Sequence, residues 1–243
     1  MNIIIEPTGK RSRSPGDITG MRAGIDMHFQ FNDVTYTLGF GQPRQITVSG
    51  SVDSGEVLVV QGYSGSGKST LLRILARLQP CDGGEVYLEG KNWLQIPGTA
   101  WRAGVHCLAQ KPAIFDGTVA GNLAKPFETR LLSQKGLNQD LARDYMKKLL
   151  MSEELWEQDA RTLSGGEAAR LAFVRALLID PKVMLLDEPA AALDEKARKA
   201  LHLTLSQWLE GPSRAALLVT HNNDYEGLRR VSFLDIGKQQ KGE

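Results

Sequence analysis

The sequence predicts an α/β fold with a parallel sheet as its core, an antiparallel β subdomain beside it and a helical subdomain inserted into it. Three observations carry this. First, Val57-Leu58-Val59-Val60, residues 105–109, Val183-Met184-Leu185-Leu186 and Leu217-Leu218-Val219 are short, unbroken apolar runs. Strands buried on both faces read this way. Second, segments of helical period separate these runs. Third, Gly62-Tyr63-Ser64-Gly65-Ser66-Gly67-Lys68-Ser69-Thr70 follows the first run and fits the phosphate-loop pattern G-x-x-x-x-G-K-[ST] at each fixed position.

Residues 1–24 read as a loose tail, with Pro7, Gly9, Pro15, Gly16, Gly20 and the basic patch Lys10-Arg11-Ser12-Arg13. One domain is expected over residues 25–243: core and β subdomain at 25–110 and 163–243, helical subdomain at 111–162. Ile25, Met27, Phe29 and Phe31 alternate with Asp26, His28 and Gln30, as in a half-buried antiparallel strand. Ile46, Val48 and Val52 keep a period of two, and Asp53-Ser54-Gly55 makes a turn. After the loop, Leu71, Leu72, Ile74, Leu75 and Leu78 have helical spacing. Cys81-Asp82-Gly83-Gly84 reads as a turn and residues 85–90 as a short strand. Residues 111–162 hold no strand-like run. There, Leu141, Tyr145, Leu149 and Leu150 line one helix face, opposite Asp140, Arg143, Lys147 and Lys148. Helices are expected over Gly165–Ile179 and from Asp194 to the stop at Gly211-Pro212, and residues 231–236 alternate as a last strand.

Composition excludes several classes. A net charge of +1 lacks the basic field of a nucleic-acid binder. Two cysteines, Cys81 and Cys107, are too few for a disulfide framework and read as small core residues. No apolar run approaches the roughly 18 residues of a membrane span, and Ile3-Ile4-Ile5 is too short for a secretory core. The expectation is a cytoplasmic chain that meets a membrane only through a partner.

The chemistry begins at the loop. Its glycines let backbone N–H groups surround phosphate oxygens, and the following helix points its positive end at the same place. Lys68 supplies a point charge, and the Ser69 hydroxyl is positioned for Mg²⁺. Asp187 and Glu188 end a buried run in Leu185-Leu186-Asp187-Glu188-Pro189, where carboxylates are costly unless used. The first suits the metal shell and the second a general base for water. Ser164-x-x-Glu167 in Leu163-Ser164-Gly165-Gly166-Glu167 is a helix capping box, and its glycine-preceded helix start also suits an anion.

Taken in order, the phosphate loop, Gln110, LSGGE, LLDEP and Thr220-His221 resemble the ATP-binding cassette (ABC) ATPases along residues 25–236. The resemblance implies a P-loop NTPase with a RecA-like core that binds ATP and Mg²⁺ and hydrolyses ATP. It implies a homodimer, packed head to tail on ATP binding. Each site would take residues 62–70 from one copy and Ser164, Gly165 and Gly166 from the other. Gln110 would contact Mg²⁺ and the attacking water, Asp187 would hold the metal, Glu188 would act as base and His221 would meet the γ-phosphate. Ala191-Ala192-Leu193-Asp194 resembles the interface-crossing D-loop. A separate polytopic membrane permease would dock near residues 111–127, with Phe115 in the contact, placing the chain on the inner face of the membrane. Three departures stand out. The adenine-stacking aromatic falls on Leu38, with Tyr36 and Phe40 either side, and the sequence leaves open which of the three meets the base. Ala190 and Ala191 stand where hydroxyls are common, and Ala168-Ala169 where polar residues are.

The chain between Gln110 and the signature is too short for an inserted coiled coil, and there is one set of motifs, so the reading is a minimal transporter cassette. Residues 109–123 are similar to the Fet-type ATPases associated with iron export. The alternative is a soluble cassette ATPase serving an assembly such as iron–sulfur cluster biogenesis. A purely binding role is a third reading, disfavoured by the intact Glu188.

Overall fold

The structure is a computed structural model that describes residues 28–39, 43–220 and 225–236. In chain order its elements are β1 (Phe29–Leu38), β2 (Arg44–Val52), β3 (Val57–Gln61), α1 (Lys68–Leu75), β4 (Gly83–Leu88), β5 (Lys91–Asn92), α2 (Gly98–Gly104) and β6 (Val105–Leu108). There follow α3 (Val119–Ala124), α4 (Gln139–Lys148), α5 (Gly165–Ile179), β7 (Val183–Asp187), α6 (Glu195–Leu209), β8 (Ala215–Val219) and β9 (Val231–Asp235). The expected tail, Ile25, Met27, Phe40 and His221 lie outside the described residues.

Five strands form a parallel sheet in the order β6-β7-β8-β3-β9. Neighbouring residues of a strand point to opposite faces, and here each face meets its own core. Val57, Val59, Met184, Leu186 and Leu218 pack with α3, α4, α5 and α6. Leu58, Val60, Val183, Leu185 and Leu217 pack with α1 and the strands of a second sheet. Both faces of the inner strands β7, β8 and β3 are covered, so these are apolar up to their last residue, whereas the edge strands β6 and β9 carry His106, Ser232 and Asp235.

The second sheet is antiparallel, in the order β2-β1-β4-β5. Its alternation changes phase. Phe29 and Phe31 are buried, then Val34 and Tyr36, because the register slips between Phe31 and Val34, around Asp33 at φ 48°. This β-bulge re-aims the end of β1. It also explains a departure from expectation: Gly83-Gly84 is the start of β4, not a turn. A Cβ on Gly84 would lie 2.5 Å from the Val34 Cα, so the strand can cross the bulge only as glycine.

Two further expectations change. The first helix stops at Leu75 rather than reaching Leu78. Arg77 adopts φ 55°, the Arg77 N–H donates to Ile74 O at 2.8 Å and the Leu78 N–H to Arg73 O at 2.8 Å. This is a Schellman reversal, and it leaves Leu78 58% exposed. Residues 91–104, for which no element was expected, contain β5, a 3₁₀ turn and α2. Their anchor is Trp101, fully buried against Phe29 and Trp93 at ring distances of 6.2 and 6.3 Å. Its indole N–H donates to Leu75 O at 2.8 Å, tying α2 to the end of α1. Cys81 and Cys107 are free and half-buried, at the edge of the core rather than within it. No helix among the described residues is long and apolar enough to cross a membrane.

Trp101→Ala is expected to destabilise the fold by about 3–5 kcal/mol, the range for a buried Trp cavity plus a lost hydrogen bond. Denaturant unfolding of the purified protein checks this, and a change below about 1 kcal/mol would contradict the anchoring role.

Candidate functional site

The phosphate loop is a short bridge between the end of β3 and the start of α1. Gly67, at the helix N-cap, has φ 100°. A Cβ there would approach Leu38 Cδ1 to 2.9 Å and Tyr36 Cε2 to 3.0 Å. Both the left-handed backbone and the close approach of β1 require glycine. The Tyr36 hydroxyl donates to Gly67 O at 3.2 Å. Lys68 folds back on its own loop, donating to Gly62 O at 2.8 Å and Tyr63 O at 3.0 Å. Burial lowers its pKa, while Glu188 and Asp187 act in the opposite direction. Ser66 Oγ is buried without a hydrogen-bond partner among the described residues. Ser64 and Gly65 are exposed, and Ser69 and Thr70 are half-buried in the first turn of α1. A buried cation whose hydrogen bonds among the described residues go to carbonyls, with a buried hydroxyl beside it, suits a polyanion.

Asp187 ends β7, 4% exposed. Burial raises its pKa and the Glu188 charge adds to this, whereas hydrogen bonding from Ser69 lowers it. The Ser69 hydroxyl donates to Asp187 Oδ1 at 3.0 Å. Glu188 follows with φ 50°, the left-handed region where a non-glycine residue is strained. Its N–H still donates to Val219 O at the end of β8 at 3.0 Å, so the chain leaves the sheet through the backbone angle and not through loss of that bond. Gln110, just beyond β6, donates from Nε2 to Glu188 Oε2 at 2.9 Å. Ser69, Gln110, Asp187 and Glu188, from three strand ends, thus form one cluster at the loop. Among the described residues no group of three or more His, Cys, Asp or Glu forms a metal cage. Mg²⁺ is ordinarily held by one or two carboxylates, water and substrate phosphates, so the Ser69–Asp187 oxygens fit it.

The segment after Gln110 is fixed by two residues that sequence reasoning missed. Asn122, fully buried, accepts from the Phe115 N–H at 2.8 Å and donates to Phe115 O at 2.9 Å and Thr118 O at 3.0 Å. Arg175 donates to Ala113 O at 2.7 Å and lies 5.1 Å from the Phe115 ring centroid. A charge amid the apolar residues of α5 was the signal for Arg175, and nothing in the pattern marked Asn122. Phe115 is 40% exposed, but Phe127, at the other end of the expected docking segment, is buried.

Ser164 caps α5 as a capping box. Its N–H donates to Glu167 Oε2 at 2.9 Å, and its Oγ accepts from the Glu167 N–H at 3.3 Å. The Ser164 hydroxyl also donates to Glu167 Oε2 at 2.7 Å, and this bond, with the one from the Ser164 N–H, holds the Glu167 pKa below its usual value. Gly165 and Gly166 pack on Ala192 and Leu193 of the same chain, and a Cβ on Gly166 would lie 3.0 Å from Ala192 O. Of the three candidates for the base, Tyr36 is 2% exposed with its hydroxyl engaged, Leu38 is half-buried over Gly67, and Phe40 lies outside the described residues.

The ABC transporter family model matches residues 46–191. The spermidine/putrescine import ATP-binding protein PotA of Thermotoga maritima is 36% identical over 72% of this chain, which spans 47% of that relative. The probable iron export ATP-binding protein FetA of Escherichia coli is 32% identical over 80% of this chain and 85% of its own length. A solved dimeric ATP-binding cassette in a post-hydrolysis state, bound to ADP and Pi, superposes with a TM-score of 0.72 at 26% identity, covering 86% of this chain and 96% of that one. An importer matches at higher identity than the exporter, so the Fet-type subfamily is not singled out. With the phosphate loop, the carboxylate cluster and the glycine-led helix in one sheet-end arrangement, the chain belongs to the ABC transporter family and carries its ATP-binding cassette.

Proposed function

We propose that this cassette binds and hydrolyses Mg-ATP as a head-to-tail dimer and drives a separate membrane subunit. The observation that carries the reading is the convergence of the Ser69–Asp187 and Gln110–Glu188 pairs at the mouth of the 62–70 loop. Two solved structures of one cassette, both dimeric, stand among the structural neighbours and support the assembly.

In this mechanism the loop amides and Lys68 hold the β- and γ-phosphates, with Lys68 leaving the Gly62 and Tyr63 carbonyls to do so. Ser69 and Asp187 hold Mg²⁺, which when bound draws charge from the phosphate oxygens. Glu188 takes the proton of the attacking water, Gln110 orients that water and the carboxylate, and His221 meets the γ-phosphate. Ser164, Gly165 and Gly166 of each copy close on the nucleotide of the other with helix-terminal N–H groups. ATP closes the dimer and its hydrolysis reopens it.

The membrane subunit is placed against the segment following Gln110, where Phe115 is exposed and held by Asn122 and Arg175. Pro126 borders a cleft of about 760 Å³ beside it, along with Leu78 and Leu131, both exposed. The cargo is read as iron moved outward, on the likeness of residues 109–123 to Fet-type proteins and on the Escherichia coli relative.

Glu188→Gln is expected to bind ATP but to hydrolyse it at least about a hundredfold more slowly, trapping a dimer visible by size-exclusion chromatography. Rapid turnover would remove Glu188 as the base. Ser164→Arg is expected to keep monomer ATP affinity within about twofold while abolishing hydrolysis, since the substituted side chain would fill the partner's site. Normal turnover there would rule out the composite site. Affinity capture of tagged Glu188→Gln with ATP, from detergent-solubilised membranes of the native cell, should recover one polytopic membrane protein. Recovery of soluble proteins alone, with membrane proteins present in the input, would contradict the transporter role.

A further inference from the structure

The walls of the 760 Å³ cleft come from residues just after α1, from α2 and β6, from residues 126–134 after α3 and from the end of α5. Leu78 and Leu131 stand on its rim, 58% and 49% exposed, while Val105 and Ile179 are buried in its walls. Two large aliphatic side chains exposed at one opening form an apolar patch, which marks an interaction site as scattered leucines do not. The lining has a one-signed charge. It carries Arg102 and Arg130, both exposed, and no carboxylate. Neither arginine forms an ion pair among the described residues. Two further titratable groups line the cleft, and both are neutral near pH 7. Burial and the Arg175 charge push His106 down to about 4, and burial pushes the Cys107 thiol up to about 11.

The chain ahead of β1 enters the domain on this side. The ring Nε2 of His28, the first described residue, donates to Lys182 O at 3.1 Å, and the Lys182 N–H donates to Gly104 O at 2.9 Å. Gly104 directly precedes Val105 of the cleft wall. Of the sequence outside the described residues, Ile3-Ile4-Ile5 is the longest apolar run, and the carboxylate of Glu6 follows it. Glu6 is 22 residues ahead of His28. A chain of that length reaches up to about 70 Å, so the cleft is within its range. Three apolar side chains and one anion complement an apolar cleft with two guanidiniums at its edge. The basic patch that begins at Lys10 is repelled by the same arginines, which confines the contact to the residues ahead of it.

We infer that Ile3-Ile4-Ile5-Glu6 occupies this cleft of its own chain, with the isoleucines against Leu78 and Leu131 and the Glu6 carboxylate on Arg102 and Arg130. The contact covers the exposed leucines and gives both arginines an ion partner. A tether of this length holds the segment at a high effective concentration, so a weak contact is enough to fill the cleft. The consequence is a self-blocking cassette: any partner that uses the cleft first displaces residues 3–6. The occupancy goes beyond the membrane-subunit reading and does not need it.

The test uses the full chain, without nucleotide or membrane, carrying a photoreactive benzophenone amino acid in place of Ile4. An equal mixture of isotope-labelled and unlabelled protein is irradiated at low salt, and the adducts are mapped by mass spectrometry. Adducts within single copies, on residues 76–78, 99–107 or 126–134, are expected. Adducts on other surfaces, adducts that join labelled to unlabelled copies, or no adduct within the chain would overturn the inference. Charge reversal tests the ion contact. Glu6→Arg should lower the adduct yield at least about fivefold, and adding Arg102→Glu with Arg130→Glu should restore it to within about twofold. An unchanged yield with Glu6→Arg, or no recovery in the triple variant, would also overturn it. If the reversed arginines unfold the domain, judged by thermal unfolding, Arg102→Gln with Arg130→Gln decides. A yield lowered as far as by Glu6→Arg supports the contact, and a wild-type yield overturns it. The readout needs no membrane subunit, so failure to capture one and failure of this contact are separate results.

Discussion

Everything at the site depends on the five strands of the main sheet running the same way. Parallel pairing of β6, β7, β8, β3 and β9 brings their carboxyl ends to one edge. Residues remote in sequence then meet there. Ser69 follows β3, Gln110 follows β6 and Asp187 ends β7, so the Ser69–Asp187 hydrogen bond closes a separation of 118 residues. Crevices at the carboxyl ends of such sheets are the usual ligand sites of open α/β folds. Here the helix that leaves β3 also points its positive end into the crevice.

The same crevice holds opposite charges away from water. Burial moves Lys68 and Asp187 towards their neutral forms. A bound polyphosphate would favour the lysine cation, and a bound divalent cation would favour the carboxylate. The two ligands are thus complementary to what the fold has desolvated. The strained backbone at Glu188 belongs to the same arrangement, since φ 50° sends the chain off the sheet directly after Asp187.

Patterns that repeat along the chain were legible in the sequence. The unbroken apolar runs gave the parallel strands, and the expected bounds of α5 coincide with those of the structure. The capping box at Ser164 and Glu167 could be read directly, because both partners lie within one turn. Features that depend on tertiary contact could not. The bulge at Asp33 makes Gly83-Gly84 a strand, and no local signal tells such a pair from a turn. The left-handed residue that ends α1 is Arg77, where glycine would have announced the stop. Helix α2 is too short for periodicity and is held by Trp101 against distant rings. Asn122 and Arg175 act through backbone carbonyls of the segment after Gln110, partners that no side-chain pattern encodes.

The contact of Gly166 with Ala192 has a consequence for how two copies share work. The turn that begins at Glu188 continues through Ala191 to Leu193, and the start of α5 rests closely on it, a Cβ at Gly166 lying 3.0 Å from Ala192 O. A displacement at Glu188 would therefore reach the start of α5 through backbone and close packing. In a head-to-tail dimer one copy's carboxylate and its grip on the other copy's nucleotide would be geared together, so neither nucleotide could turn over as though it were alone.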